Sequence, residues 1–406
     1  MTKTVAALLT SLLLLIAASA FSQQAPRGPR PAPPPANTDT ARLGDPFPGL
    51  TNAQRAAFNN GSAEFAAIEA VSDGLGPVFN GRSCAECHRA PAPGGGSNRL
   101  VTRFGTITAG AFDPLTQFGG SLIQEHAIGP RDGSVHPFTP ERVPAAATIV
   151  TRRRTTPLFG LGLVDATPDV AFLALAQQQA ARNDGTAGRV NLVQNISAGM
   201  ATAGKFGWKA QVPSLFQFAG DAYLNEMGIT NPQFPSENCP SGNCTELAFN
   251  PRPDLNDLGD GVRKLADFMT LLAAPPRGPI TQDVSDGETV FNSLGCNSCH
   301  VATLQSGPSP VAALDRKTYH PYSDFLLHDM GSLGDGIVQG DSRGREMRTA
   351  PLWGLRAINT FLHDGRANTL DQAILAHDGQ ARTSRDRFAN LDSADRAKLM
   401  AFLQSL

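Results

Sequence analysis

One phrase is written twice in this chain. Val78–His88 reads VFNGRSCAECH and Val290–His300 reads VFNSLGCNSCH. Each is Val-Phe-Asn, a three-residue gap, then Cys-x-x-Cys-His. Cysteines three apart on a helical turn face the same way, and the histidine follows directly beneath them. A chain that repeats this arrangement must build two pockets, each entered from a short turn, one per half.

The spacing is that of c-type haem attachment. The two thiols bond the two vinyl-derived carbons of one haem, and the histidine supplies the proximal imidazole. Two other readings are weaker. A thioredoxin-like redox motif follows a strand in a βαβ unit and needs no histidine. A zinc site pairs two Cys-x-x-Cys knuckles close together, whereas these lie in opposite halves. The expected cofactor-binding residues are therefore Cys84, Cys87 and His88 in the first half and Cys296, Cys299 and His300 in the second, with His88 and His300 as iron ligands. Six further histidines, His126, His136, His320, His328, His363 and His377, could reach a sixth coordination position.

The N-terminus has the layout of a secretory signal. Lys3 precedes an apolar run from Val5 to Ile16, and Ala18-Ser19-Ala20 fits small-residue cleavage. Residues 1–20 are expected to be removed on export, leaving a periplasmic protein without a membrane span. Residues 21–44 are rich in proline and form an extended tether. The remaining cysteines, Cys239 and Cys244, close a short loop containing Pro and Gly, which in an oxidising compartment is a structural disulfide. A redox-active pair is the alternative, though no Lys, Arg or His lies nearby in sequence to activate it. The formal net charge of −2 over 406 residues supplies no basic field for nucleic acid.

The two halves share an outline. A helical stretch leads into each Cys motif, AQRAAFNNGSAEFAAIEAV in the first and SDGETVFNSLG in the second. A Pro-Leu-aromatic-Gly-Leu phrase follows at Pro157 and again at Pro351. An amphipathic helix closes each half, Val262 to Ala274 and Ala394 to Leu406. The phrase APPRGP, Ala274 to Pro279, reads as a linker. The expectation is a mainly α fold of two cytochrome c-like haem domains in tandem, at 45–278 and 279–406, with long loops and few short strands. RLVTRFGTIT is one such strand.

Longer phrases carry a resemblance. FLLHDMGSLGDG and RTAPLWGLRAINTFLHDGRANTLDQAILAHDGQA in the second half, with GLGPVFNGRSCAECH, TTPLFGLGLVDATPD and GKFGWKAQVPSLFQFAGDAYLNEMGIT in the first, resemble the di-haem oxidoreductases. Members of that family are labelled peroxidases or thiol oxidoreductases, and it is related to bacterial di-haem cytochrome c peroxidases. The resemblance spans about Leu50 to the C-terminus.

In the relatives, the distal ligand of the C-terminal haem lies fourteen residues after the histidine of a Phe-His-Asp-Gly turn. Here the turn is Phe361-Leu362-His363-Asp364-Gly365, and fourteen residues after His363 stands His377. Methionine is usual there, so His377 is a departure that implies bis-histidine ligation and a lower potential. The relatives react at the N-terminal haem, beneath an acid that moves protons. The resemblance offers Asp165, Asp169, Gln217, Glu226 and Met227 for that face, of which Asp165 and Glu226 are the expected catalytic pair. Capping of helices is the alternative role for such carboxylates. Lys209 or Met227 in the sixth position would instead make the protein an electron carrier. Trp208 or Trp353 would be an aromatic relay between haems. The relatives also hold a calcium ion, for which the sequence assigns no ligands. The resemblance thus implies an exported di-haem oxidoreductase, peroxidase-like, with a small redox protein as donor and a small molecule such as hydrogen peroxide as substrate. A non-catalytic electron-transfer protein and a thiol oxidase are the alternatives.

Overall fold

A computed structural model of the chain describes residues 41–406, all within one compact unit. The signal at 1–20 and residues 21–40 of the tether lie outside the described residues. Helices dominate. In the first half they are α1 (Asn52–Ala66), α2 (Cys84–Cys87), α3 (Leu161–Asp165), α4 (Asp169–Arg182), α5 (Leu215–Met227) and α6 (Asp260–Leu271). In the second they are α7 (Gln282–Ser293), α8 (Leu370–Leu375), α9 (Arg382–Ala389) and α10 (Ser393–Ser405). None of the described helices is long and apolar enough to cross a membrane.

Local chemistry sets the helix ends. Thr51 and Gln54 form a reciprocal capping box that starts α1. Ser214 accepts from the Gln217 amide at the start of α5, which stops at Gly228 in a left-handed conformation. Thr281 and Asp392 cap α7 and α10 through their side chains.

The halves share a packing device. In the first, α1 crosses α6 with Phe58 and Phe65 stacked against Phe268, at ring separations of 5.3 and 4.6 Å. Gly61 sits at the crossing, where a Cβ would collide with the Lys264 carbonyl. In the second, α7 crosses α10 with Phe291 against Phe402 at 5.2 Å. There Gly287 meets the Lys398 carbonyl in the same way. Each helix that leads into a Cys motif is thus clamped to the helix that closes its half.

Strands are few and short. The longest, Leu100–Thr108, lies between Ala111–Asp113 and Ile149–Arg154 in an antiparallel three-stranded sheet. Two-stranded ribbons account for the rest. The first core runs from Phe47 to Ala273 and takes in Leu304, Leu314, Tyr319, Phe325 and Leu326 from later in the chain. A second core is formed by residues between Val284 and Leu406. Cys239 and Cys244 are joined by a disulfide.

Candidate functional site: two cavities, two Cys motifs

The second motif opens on a cavity of about 270 Å³ with mostly apolar walls. Gly295, in a left-handed conformation, turns the chain out of α7 into the single turn that carries Cys296. His300 is held through both its backbone and its ring. Its amide donates to the Cys296 carbonyl at 3.0 Å, and its Nδ1 lies 2.9 Å from the Tyr322 carbonyl. His377 lines the same cavity from two residues past the end of α8. Its Nδ1 lies 2.7 Å from the Ala373 carbonyl.

Both Nδ1 atoms therefore donate to carbonyls, and both Nε2 atoms are left as lone-pair donors facing the cavity. Burial keeps both imidazoles neutral, lowering the His300 pKa to about 4 and that of His377 below its usual range. The ring centroids are 6.5 Å apart. Two imidazoles on opposite sides of one metal ion, each bound at ~2 Å, have centroids roughly 6 Å apart. The pair could hold one iron between them.

The first motif opens on a smaller cavity of about 170 Å³. Ser83 caps α2 at the Ala85 amide and ties it to α1 through the Phe65 carbonyl. The His88 amide donates to the Cys84 carbonyl at 3.0 Å, and its Nδ1 lies 3.1 Å from the Gly95 carbonyl. Burial holds its pKa at about 4. Among the described residues, no histidine besides His88 lines this cavity.

Of the two expected catalytic carboxylates, the structure brings one to this cavity. Glu226, in the last turn of α5, lines it with Asn80 Nδ2 donating to its Oε2 at 2.9 Å. Burial raises its pKa. Asp165 lines neither cavity. It sits at the end of α3 beside the start of α5, with the Leu215 amide 3.4 Å from its Oδ1. Asp169 accepts from the Ala203 amide and pairs with Lys205, and Gln217 is tied to the ribbon at Gln194 and Ile196. Lys209 is fully buried and committed to Asp335 at 3.0 Å and to three carbonyls. Met227 lines the smaller cavity next to Glu226.

Several wall residues were not singled out from the sequence. Asp221 faces the smaller cavity, its pKa raised by burial to about 6. Its signal was the spacing Phe218, Ala222, Glu226, one face of α5 with Asp221 beside it. Arg103 and Arg153 line the same cavity, and Arg154 lines both. Arg103 Nε, Arg153 Nη2 and Arg154 Nε are buried without partners. Unpartnered buried guanidinium nitrogens suit a ligand with anionic groups at its rim. His328 and His363 line the larger cavity, the former held by Asp324 at 2.9 Å. Trp208 faces both cavities and donates from Nε1 to the Arg154 carbonyl at 2.8 Å, whereas Trp353 faces only the larger. Cys239 and Cys244 line neither. Among the described residues, the one cluster of three His, Cys, Asp or Glu donor atoms is Cys299, Asp324 and His328, which is no calcium-like set of oxygens.

No curated protein matches the chain. Among solved structures it is similar to the diheme peroxidase BthA from Burkholderia thailandensis, at 16% identity and a TM-score of 0.41, over 90% of this chain and 87% of that one. It is similar to a MauG-like protein associated with microbial copper homeostasis at 13% identity and a TM-score of 0.39, over 88% of this chain and 90% of that one. It is also similar to a hydrazine synthase structure from Kuenenia stuttgartiensis, at 13% identity and a TM-score of 0.40, over 98% of this chain and 100% of that one. Residues 142–406 match the family described as "Di-haem oxidoreductase, putative peroxidase". The match contains the second Cys motif, His377 and Glu226, while the first motif precedes it. The chain belongs to the di-haem oxidoreductase family.

Proposed function

We propose that this is an exported di-haem c-type oxidoreductase with peroxidase-like activity. One haem would be joined to Cys84 and Cys87 with His88 as ligand, the other to Cys296 and Cys299 with His300 and His377 as ligands. Two cytochrome c-like domains, 45–278 and 279–406, would each carry one. The larger cavity would receive electrons from a small redox protein, and the smaller would be where hydrogen peroxide or a similar small molecule reacts. The observation that carries this is the contrast between cavities. The larger has imidazoles on two sides; the smaller has one imidazole and buried carboxyls.

When bound, haem would supply an iron that can exchange single electrons and bind a small molecule. The residues supply the rest. The carbonyls of Gly95 and Tyr322 engage Nδ1 of His88 and His300, leaving Nε2 of each as the atom that would bind a metal. Reduction of peroxide to water consumes two protons with two electrons. Glu226 would deliver a proton from Oε1, a reading supported by Asn80 holding Oε2 and by burial favouring the protonated form. Trp208, facing both cavities, is the aromatic best placed to relay electrons. Among the described residues the one cluster of three His, Cys, Asp or Glu donor atoms, Cys299, Asp324 and His328, is not a calcium-like set, and the disulfide lines neither cavity, as a loop staple would.

The competing reading is an electron carrier, for which Met227 in the wall of the smaller cavity is the candidate ligand. Glu226→Gln tests the enzymatic reading. With both haems attached and the ferric spectrum unchanged, peroxide turnover is expected to fall ~10²–10⁴-fold. Turnover within a few-fold of wild type would remove Glu226 from the mechanism.

A further inference from the structure

Arg154 is an unusual cation. It ends the strand Ile149–Arg154, lines both cavities and is half-buried. Its backbone is pinned between them. The amide donates to the His363 carbonyl at 2.6 Å, and the carbonyl accepts from Trp208 Nε1. Its Nη1 donates to the Thr360 carbonyl, which anchors the guanidinium, and its Nε is buried with no partner.

The neighbour on the same strand behaves differently. Arg153 donates to Asp335 at 2.7 Å, a carboxylate it shares with Lys209. Among the described residues no acidic side chain pairs with Arg154, and burial pushes its pKa down. A guanidinium kept out of water without a counter-ion is costly unless an anion arrives with the ligand. Haem brings such anions, since each macrocycle bears two propionate carboxylates. Among the described residues, Arg154 is the one arginine that lines both cavities.

We propose that Arg154 is a shared counter-charge, pairing with propionates of both haems and holding the two potentials up together. The proposal rests on the two-haem reading above. A positive charge near iron disfavours the ferric state, and pairing it with a propionate removes a negative charge that would favour that state. Removing Arg154 would therefore lower both midpoint potentials.

The test is an optical redox titration of the mature holoprotein, after intact mass has counted its haems. A wild-type chain carrying fewer than two haems would overturn the two-haem reading itself. With two present, Arg154→Gln is expected to lower both midpoints. Arg154→Lys, which keeps the charge on a shorter arm and should preserve maturation, is expected to lower both by less. Arg152→Gln, at the exposed neighbour on the same strand, is expected to move neither. A fall at one centre alone in either Arg154 variant, or at neither in Arg154→Gln, would overturn the shared role.

Discussion

His377 shows how one side chain sets the character of a site. Methionine favours ferrous iron, whereas a second imidazole does so less. His377→Met is therefore expected to raise the potential of the C-terminal haem while leaving it low-spin, as read by redox titration and absorption. An unchanged potential would mean that His377 is not a ligand. Glu237 gives a test of stability remote from both cavities. Its carboxyl is buried with Oε2 unpartnered, which raises its pKa from 4.5 to about 8. The folded value lies above the unfolded one, so its stabilising contribution is complete below about pH 4.5 and is lost as pH rises towards about 8. Glu237→Gln is expected to flatten the fall in melting temperature across that window. A wild-type slope in the variant would contradict the assignment. At this scale the Cys motifs were legible in the sequence because Cys-x-x-Cys-His is a fixed local spacing that needs no tertiary information to read. Asp165 and Glu226 were not separable, since both sit at helix ends. Only tertiary packing shows that the end of α5 meets a cavity and the end of α3 does not. The inward arginines were hidden for a similar reason, because Arg152-Arg153-Arg154 in sequence reads as surface charge.

The helix pairs are the elements that present the Cys motifs. Gly287 lets α7 approach α10 closely enough for Phe291 to reach Phe402 and the edge of His300. Gly287→Ala would force the helices apart, at a cost of ~1–3 kcal/mol. The expected result is a lower melting temperature, and an unchanged one would contradict the close crossing. These four helices were readable in advance. Apolar residues at three- and four-residue steps marked α6 and α10, and the stretches before the Cys motifs marked α1 and α7. The ribbons were mostly not readable, because pairs such as Val78–Phe79 with His126–Ala127 are only two residues long and depend on a partner far along the chain. His377 also illustrates the limit of element boundaries, since α8 ends at Leu375 and the turn beyond it does the presenting.

In the whole molecule, two similar frames end in dissimilar sites. Each half clamps a Cys motif between a leading and a closing helix, yet a second imidazole enters only the larger cavity among the described residues. Trp208 and Arg154 belong to both cavities, so the two cavities share walls. The family placement agrees with a di-haem oxidoreductase, and the asymmetry of the cavities is what argues for catalysis over simple electron transfer. The most direct test is the absorption and EPR spectrum of the oxidised protein with both haems attached. The expected result is one low-spin haem, from His300 and His377, and one haem that is high-spin at rest or becomes so after half-reduction and then binds cyanide. Two low-spin haems, unchanged by half-reduction and by cyanide, would contradict the account and leave an electron carrier in its place.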